Sequence, residues 1–174
     1  MNDRERLDGL LRHINQVREN CQILADKLME VNEIDLARRL LQLSFTHDNS
    51  KFAGIEWQFL TNPQETNKAG LKYAVEHHQR VNGHHPEYWQ RGINDMPLVY
   101  RYEMIADIVA RSSEMGTSAR DFITDTMPKK YNFPKDGEVH KQLIAILDML
   151  CSRPFEPIEP EHAISIPLTQ AAHV

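Results

Sequence analysis

The sequence predicts an all-α fold: a single-domain helical bundle of six or seven helices over residues 1–152, followed by a Pro-rich C-terminal tail at 153–174. Three observations predict it. Apolar residues recur at helical spacing in several segments. Strand-like alternation is nearly absent. At 174 residues the chain is long enough for one well-filled core and short for two.

The first helix carries the clearest pattern. Leu7, Leu10, Ile14, Val17, Cys21, Leu24, Leu28 and Val31 alternate in steps of three and four, and His13 stands beside that stripe. Asn32 reads as the cap of a second helix at about 33–46, with Asp35 favouring its N-terminal dipole. Leu36, Leu40, Leu43 and Ser44 of that helix face inward, and His47 comes at its end. Asn49, Ser50 and Gly54 loosen the chain before a short turn at 55–60, and TNPQETN reads as a loop. A fourth helix at about 68–82 turns Leu71, Ala74, Val75 and His78 to one face. The stretch NGHHPEYWQRGIND is too long and too rich in histidine and aromatics to be simple punctuation. Asp95 and Pro97 announce a fifth helix that stops at Gly116. A short sixth helix begins at Ser118 and a seventh covers about 139–150, leaving the tail as an extended strap.

Bulk properties exclude several classes. A net charge of -5 argues against a broadly basic surface for duplex nucleic acid. A small anionic substrate stays compatible with it, because a bound metal reverses the local field. No apolar run is long enough to span a membrane, and the N-terminus lacks a secretory h-region. Cys21 and Cys151 are far apart with no CxxC partner and read as buried thiols of a reducing compartment. The expected location is therefore cytoplasmic. A homodimer is a further expectation, because the first helix's stripe is long enough to exceed what one core buries.

Histidine carries the chemical signal. Nine are present, and His77, His78, His84 and His85 crowd into one short stretch. His47 and Asp48 are adjacent at a helix end, and His13 lies on the preceding helix, where it can face them. Asp107 sits in EMIADIVARS among apolar residues, where a carboxylate needs a partner. The bland alternative is a surface pair with Arg111 at i+4. Imidazoles with carboxylate make an N/O donor set suited to Zn, Mn, Fe, Co or Ni. Lys51, three residues past Asp48, is placed to neutralise a phosphoryl oxygen. Glu56 is a candidate for orienting a metal-bound water, and Glu87 reads as a brace for its loop. Trp57, Tyr88 and Trp89 are candidates for lining a pocket.

The order H…HD…D, with HDxxK at its second element, resembles the HD superfamily of metal-dependent phosphohydrolases. LLRHINQV is similar to the way small nucleotide-directed members present their first histidine. The stretch HDNSKF…EW…AVEHHQRVNGHHPEYW…EMIADIVARS further resembles small HD-like proteins of phages and bacteria, over about 10–116. The resemblance implies an HD-type bundle in which His13, His47, Asp48 and Asp107 hold a divalent transition metal. It implies hydrolysis of a phosphate ester or anhydride bond in a small nucleotide. By their positions, Lys51 with His78 or His85 would stabilise charge on the phosphate or protonate the leaving oxygen, and Glu56 would orient the water. Some HD proteins bind a second ion through extra histidines, which here would be His78 with His84 or His85. The other arrangement keeps one ion and uses these rings as general acid and phosphate ligands. We favour one ion at this point, because ligands so close together across a Gly turn are a weak geometric match. Two further classes remain open: an HD-fold di-iron oxygenase, and a non-enzymatic phage helical binding protein.

Overall fold

A computed structural model describes residues 2–62 and 64–152. Among these there is no strand, as the sequence predicts. The helices are α1 (Asp3–Glu30), α2 (Ile34–Ser44), α3 (Gly54–Leu60), α4 (Lys68–Val81), α5 (Leu98–Met115), α6 (Ala119–Asp121), α7 (Met127–Lys130) and α8 (Glu138–Cys151). A π turn (Phe122–Thr126) joins α6 to α7 without a break, so the eight labels amount to seven helical rods. Three 3-10 turns, Asn49–Phe52, Pro86–Tyr88 and Gly92–Asn94, shape the connections. The expected tail at 153–174 lies outside the described residues.

The long first helix organises the rest. Asn2 opens it with a capping box: its side chain accepts from the Glu5 amide, and the Glu5 carboxylate accepts from the Asn2 amide. From Leu10 to Leu28 the apolar stripe is buried, against α2, α5 and α8. Val17, Cys21, Leu24, Leu40, Ile105, Leu143 and Leu147 form the centre of the core, and Ile123 and Met127 extend it. Asn20 is buried within this contact, and its amide donates to the Ala106 carbonyl at 2.9 Å, tying α1 to α5. Since the stripe is spent inside the chain, with only Leu7 and Val31 exposed at its ends, the reason given for a dimer falls away.

Several local expectations need correction. Asn32 does not cap α2; it adopts a left-handed conformation (φ 64°) that closes α1, and Glu33 is the capping residue. The start of α5 falls where expected: Pro97 takes the cap position, and the Asp95 carboxylate just before it is held by Arg91. Leu36 and Leu43 are only partly buried, and Ala37 joins Leu40 and Ser44 on the inner face instead. Both cysteines are free thiols, but only Cys21 is buried; Cys151 is exposed at the end of α8. No helix among the described residues is long and apolar enough to cross a membrane.

Candidate metal centre

Five segments converge on one buried cluster. His13 comes from the middle of α1, and His47 with Asp48 from the turn that follows α2. His78 comes from the last turn of α4, His84 and His85 from the loop after it, and Asp107 from α5. Asp48 is in the left-handed region (φ 58°), a conformation that aspartate tolerates better than most residues. The loop after α4 is pressed onto α5 because position 83 is glycine: a Cβ there would stand 2.5 Å from the Tyr100 ring. That close approach brings His84 inward, and its side chain is 3% exposed.

Asp48 is the middle of the cluster, and its two oxygens face different partners. Oδ2 lies 3.5 Å from His13 Nε2 and 3.6 Å from His47 Nε2, and also meets Lys51 Nζ. Oδ1 lies 3.4 Å from His78 Nε2 and 3.6 Å from His84 Nε2. Asp107 Oδ1 closes the first side, 3.1 Å from His13 Nε2 and 3.9 Å from His47 Nε2. Thus His13, His47, Asp48 and Asp107, expected together from sequence, do come together. The spacing objection to a second group does not hold: ligand atoms of His78, His84 and His85 fall within 4.8 Å of one another.

Each inward ring is held from behind by a glutamate. His13 Nδ1 meets Glu114 at 2.9 Å, His47 Nδ1 meets Glu103 at 3.0 Å, and His78 Nδ1 meets Glu56 at 2.8 Å. His84 Nδ1 shares Glu103 at 3.5 Å. A carboxylate that accepts a hydrogen bond from Nδ1–H orients the ring and turns its Nε2 inward toward the cluster. His85 is the exception, with no carboxylate contact among these ion pairs. Burial beside His84 and His78 pushes its pKa down to about 2. The ring is therefore neutral at pH 7, which suits a lone-pair donor better than the general acid expected from sequence.

Electrostatics follow from the packing. Burial opposes the charge on His13, but hydrogen bonds and attraction from Asp107 and Asp48 win and push it up to about 10. Burial also opposes the Asp48 charge, yet Lys51 and the surrounding rings hold it well below the usual carboxylate range. Asp107 and Glu103 are lowered against burial in the same way, by His13 and by the His47–His84 pair respectively.

The donors fit a metal. Five buried side-chain N or O atoms among the described residues lack a hydrogen-bond partner, and four of them are His47 Nε2, Asp48 Oδ1, His84 Nε2 and His85 Nε2. Orphaned buried polar atoms are rare in folded proteins and call for a missing partner. A divalent transition ion is the partner this nitrogen-and-oxygen set accepts.

The remaining expectations sort clearly. His77 is outside the cluster, with a 43% exposed side chain resting on Glu56 at 2.7 Å. Glu56 is buried, and its oxygens are taken by His77, His78 and Ser50, so it braces His78. Arg111 pairs with Glu114, not with Asp107. Glu87 lies 3.6 Å from Lys130. Trp57 lies under Arg6, and Tyr88 and Trp89 form an edge-on pair. Glu103 and Glu114 were missed by sequence reasoning. The signal for Glu103 was present: it is one helical turn before Asp107 in the same apolar setting.

Glu103→Gln is expected to keep the fold and weaken metal binding by roughly 10–100-fold, since it loosens His47 and His84 together. Competition against a chromophoric chelator measures it, and an unchanged affinity would refute the bracing role.

Fold and cluster together define an all-helical protein with a buried histidine–carboxylate centre. The chain belongs to the DUF5662 family, described as a family of unknown function, whose model matches residues 2–153. No curated protein and no solved structure matches it.

Proposed function

We propose that this protein is a metal-dependent hydrolase of phosphate ester or anhydride bonds in a small substrate such as a nucleotide. The observation that carries the reading is the position of Asp48, one oxygen toward His13 and His47 and the other toward His78 and His84. His13, His47, Asp48 and Asp107 would hold one divalent ion. Asp48 with His78 and His84 would hold a second, in place of the single ion favoured from sequence. Such ions supply Lewis acidity toward a phosphoryl oxygen and make water a nucleophile at neutral pH.

The chain's own residues do the rest. Glu103, Glu114 and Glu56 keep the rings in register, so the donors are arranged before substrate arrives. Lys51 sits on Asp48 Oδ2 with part of its side chain exposed, placed to bind a phosphoryl oxygen beside that carboxylate. His85 lines the adjoining cavity with a ring that is neutral at pH 7.

A second reading draws on the same paired arrangement, because two histidine groups around one carboxylate also suit a di-iron oxygenase. Metal quantitation, followed by a phosphatase screen over nucleotides with Mn, Co, Ni, Zn and Mg, separates them. Phosphate release abolished by chelation is the expected result. Iron as the bound metal with oxygen consumption would replace the hydrolase by the oxygenase. Bound metal with no turnover of any substrate would leave a non-enzymatic binding protein.

A further inference from the structure

A cavity of about 780 Å³ opens directly from the centre, with His85 and Asp107 on its wall. It runs between α5 and the continuous helical run from α6 to α7. Met104 and Met127 are buried at its depth, and Met115, 67% exposed, stands at its mouth. Ile108, Phe122 and Tyr131 complete an apolar lining. The π turn Phe122–Thr126 shapes one side, and such turns within helices gather at functional sites.

The size and the charge of this space both restrict its occupant. Inorganic phosphate needs only a small part of it, whereas pockets of roughly 300–1,000 Å³ take whole organic ligands. Its cations are few and already engaged. Arg111 is bonded to Glu114 at 2.9 Å, and Lys130 lies 3.6 Å from Glu87 and over the Tyr131 ring. Of the three carboxylates on the cavity wall, Asp107 belongs to the centre and Asp125 is paired with Lys135 at 2.9 Å, which leaves Asp121. A polyphosphate chain running from the centre into this space would meet Asp121 and no unpaired lysine or arginine among the lining residues. A flat, uncharged group meets methionine sulfurs and aromatic rings, which adapt to such shapes.

We propose that the cavity binds the organic body of a phosphate monoester, a bulky, flat and uncharged group whose single phosphoryl group lies at the histidine–aspartate centre. The proposal rests on the hydrolase reading and deepens it by choosing a monoester over a di- or triphosphate.

The test is calorimetric binding to the metal-loaded protein of three unreactive or slowly reacting probes: 1-naphthylmethylphosphonate, methylphosphonate and ATP. The naphthyl compound is expected to bind at least about tenfold tighter than either of the others. Ile108→Asp and, separately, Phe122→Ala are expected to bring its advantage over methylphosphonate below about threefold, with circular dichroism reporting that each is folded. Equal affinity for the two phosphonates, tightest binding of ATP, or an advantage that survives both substitutions would overturn the proposal. Turnover of 1-naphthyl phosphate separates the two ideas. Selective naphthyl binding without turnover supports the cavity and removes the hydrolase. Equal kcat/KM for methyl and 1-naphthyl phosphates supports the hydrolase and removes the cavity's role.

Discussion

Replacing Asp48 is expected to empty both metal positions at once, whereas replacing Asp107 is expected to empty one. The reason is geometric. Asp48 offers Oδ2 to His13 and His47 and Oδ1 to His78 and His84, while Asp107 contacts only the first pair. Asp48→Ala also loses aspartate's tolerance of the left-handed backbone, at a cost of about 1–2 kcal/mol. Asp48→Asn is the cleaner variant, because asparagine accepts that conformation and keeps the shape while removing the charge. In the asparagine variant bound metal should drop from two ions per chain to less than half an ion, on the order of a 10³-fold loss of affinity. Activity should disappear with it. Metal quantitation after dialysis measures the result, with folding followed by circular dichroism. Full metal occupancy in Asp48→Asn would show that the shared-carboxylate arrangement is wrong. His78→Ala should lose the second ion alone, and His77→Ala should retain both, since its exposed ring only leans on Glu56.

The fold was legible because burial along a helix leaves a periodic trace. Leu10 to Leu28 repeat on one face of α1, and that face is the one packed against α2, α5 and α8. The same logic placed His78 beside Ala74 on the buried face of α4 and His77 outside it. Chain direction after a turn leaves no such trace. That Asp48 sits in a left-handed turn, presenting one oxygen to each histidine group, follows from backbone angles that no periodicity encodes. The pairing of His84 with Glu103 depends on how closely the loop at Gly83 approaches Tyr100, a tertiary contact. Glu103 does leave a trace, because like Asp107 it is a charged residue on an otherwise apolar helix face. Glu114 does not, because its neighbourhood near the end of α5 is ordinary and exposed. The π turn that shapes the cavity likewise has no distinguishing residue pattern in FITDT.

Metal uptake is expected to release protons and to strengthen as pH rises, because the metal-free centre is held together by a charged His13. With its pKa raised to about 10 by Asp107 and Asp48, against burial, that ring is protonated at pH 7, and an ion must displace the proton to bind Nε2. Titrations of one metal in buffers of different ionisation enthalpy should report close to one proton released from this ring. The same shift makes a statement about stability. A group whose pKa is raised on folding stabilises the fold fully below its unfolded value, near 6.5 here, and loses that contribution as pH climbs toward the folded value. Metal-free protein should therefore lose on the order of 2 kcal/mol between pH 6.5 and 8.5, a fall of about 5 °C in Tm. His84, also raised, acts in the same direction. His78 is pushed below its ordinary value by burial, so its effect lies at lower pH and drops out of this window. The window also stops short of the range where the buried Cys21 thiol, raised by burial, adds a loss of the same sign. Bound metal replaces the proton as the charge that Asp48 and Asp107 require, so the loaded protein should show a flat Tm over the same range. A metal-free protein that gained stability between pH 6.5 and 8.5 would mean that His13 is not charged in the fold, and the proton-for-metal exchange would fail with it.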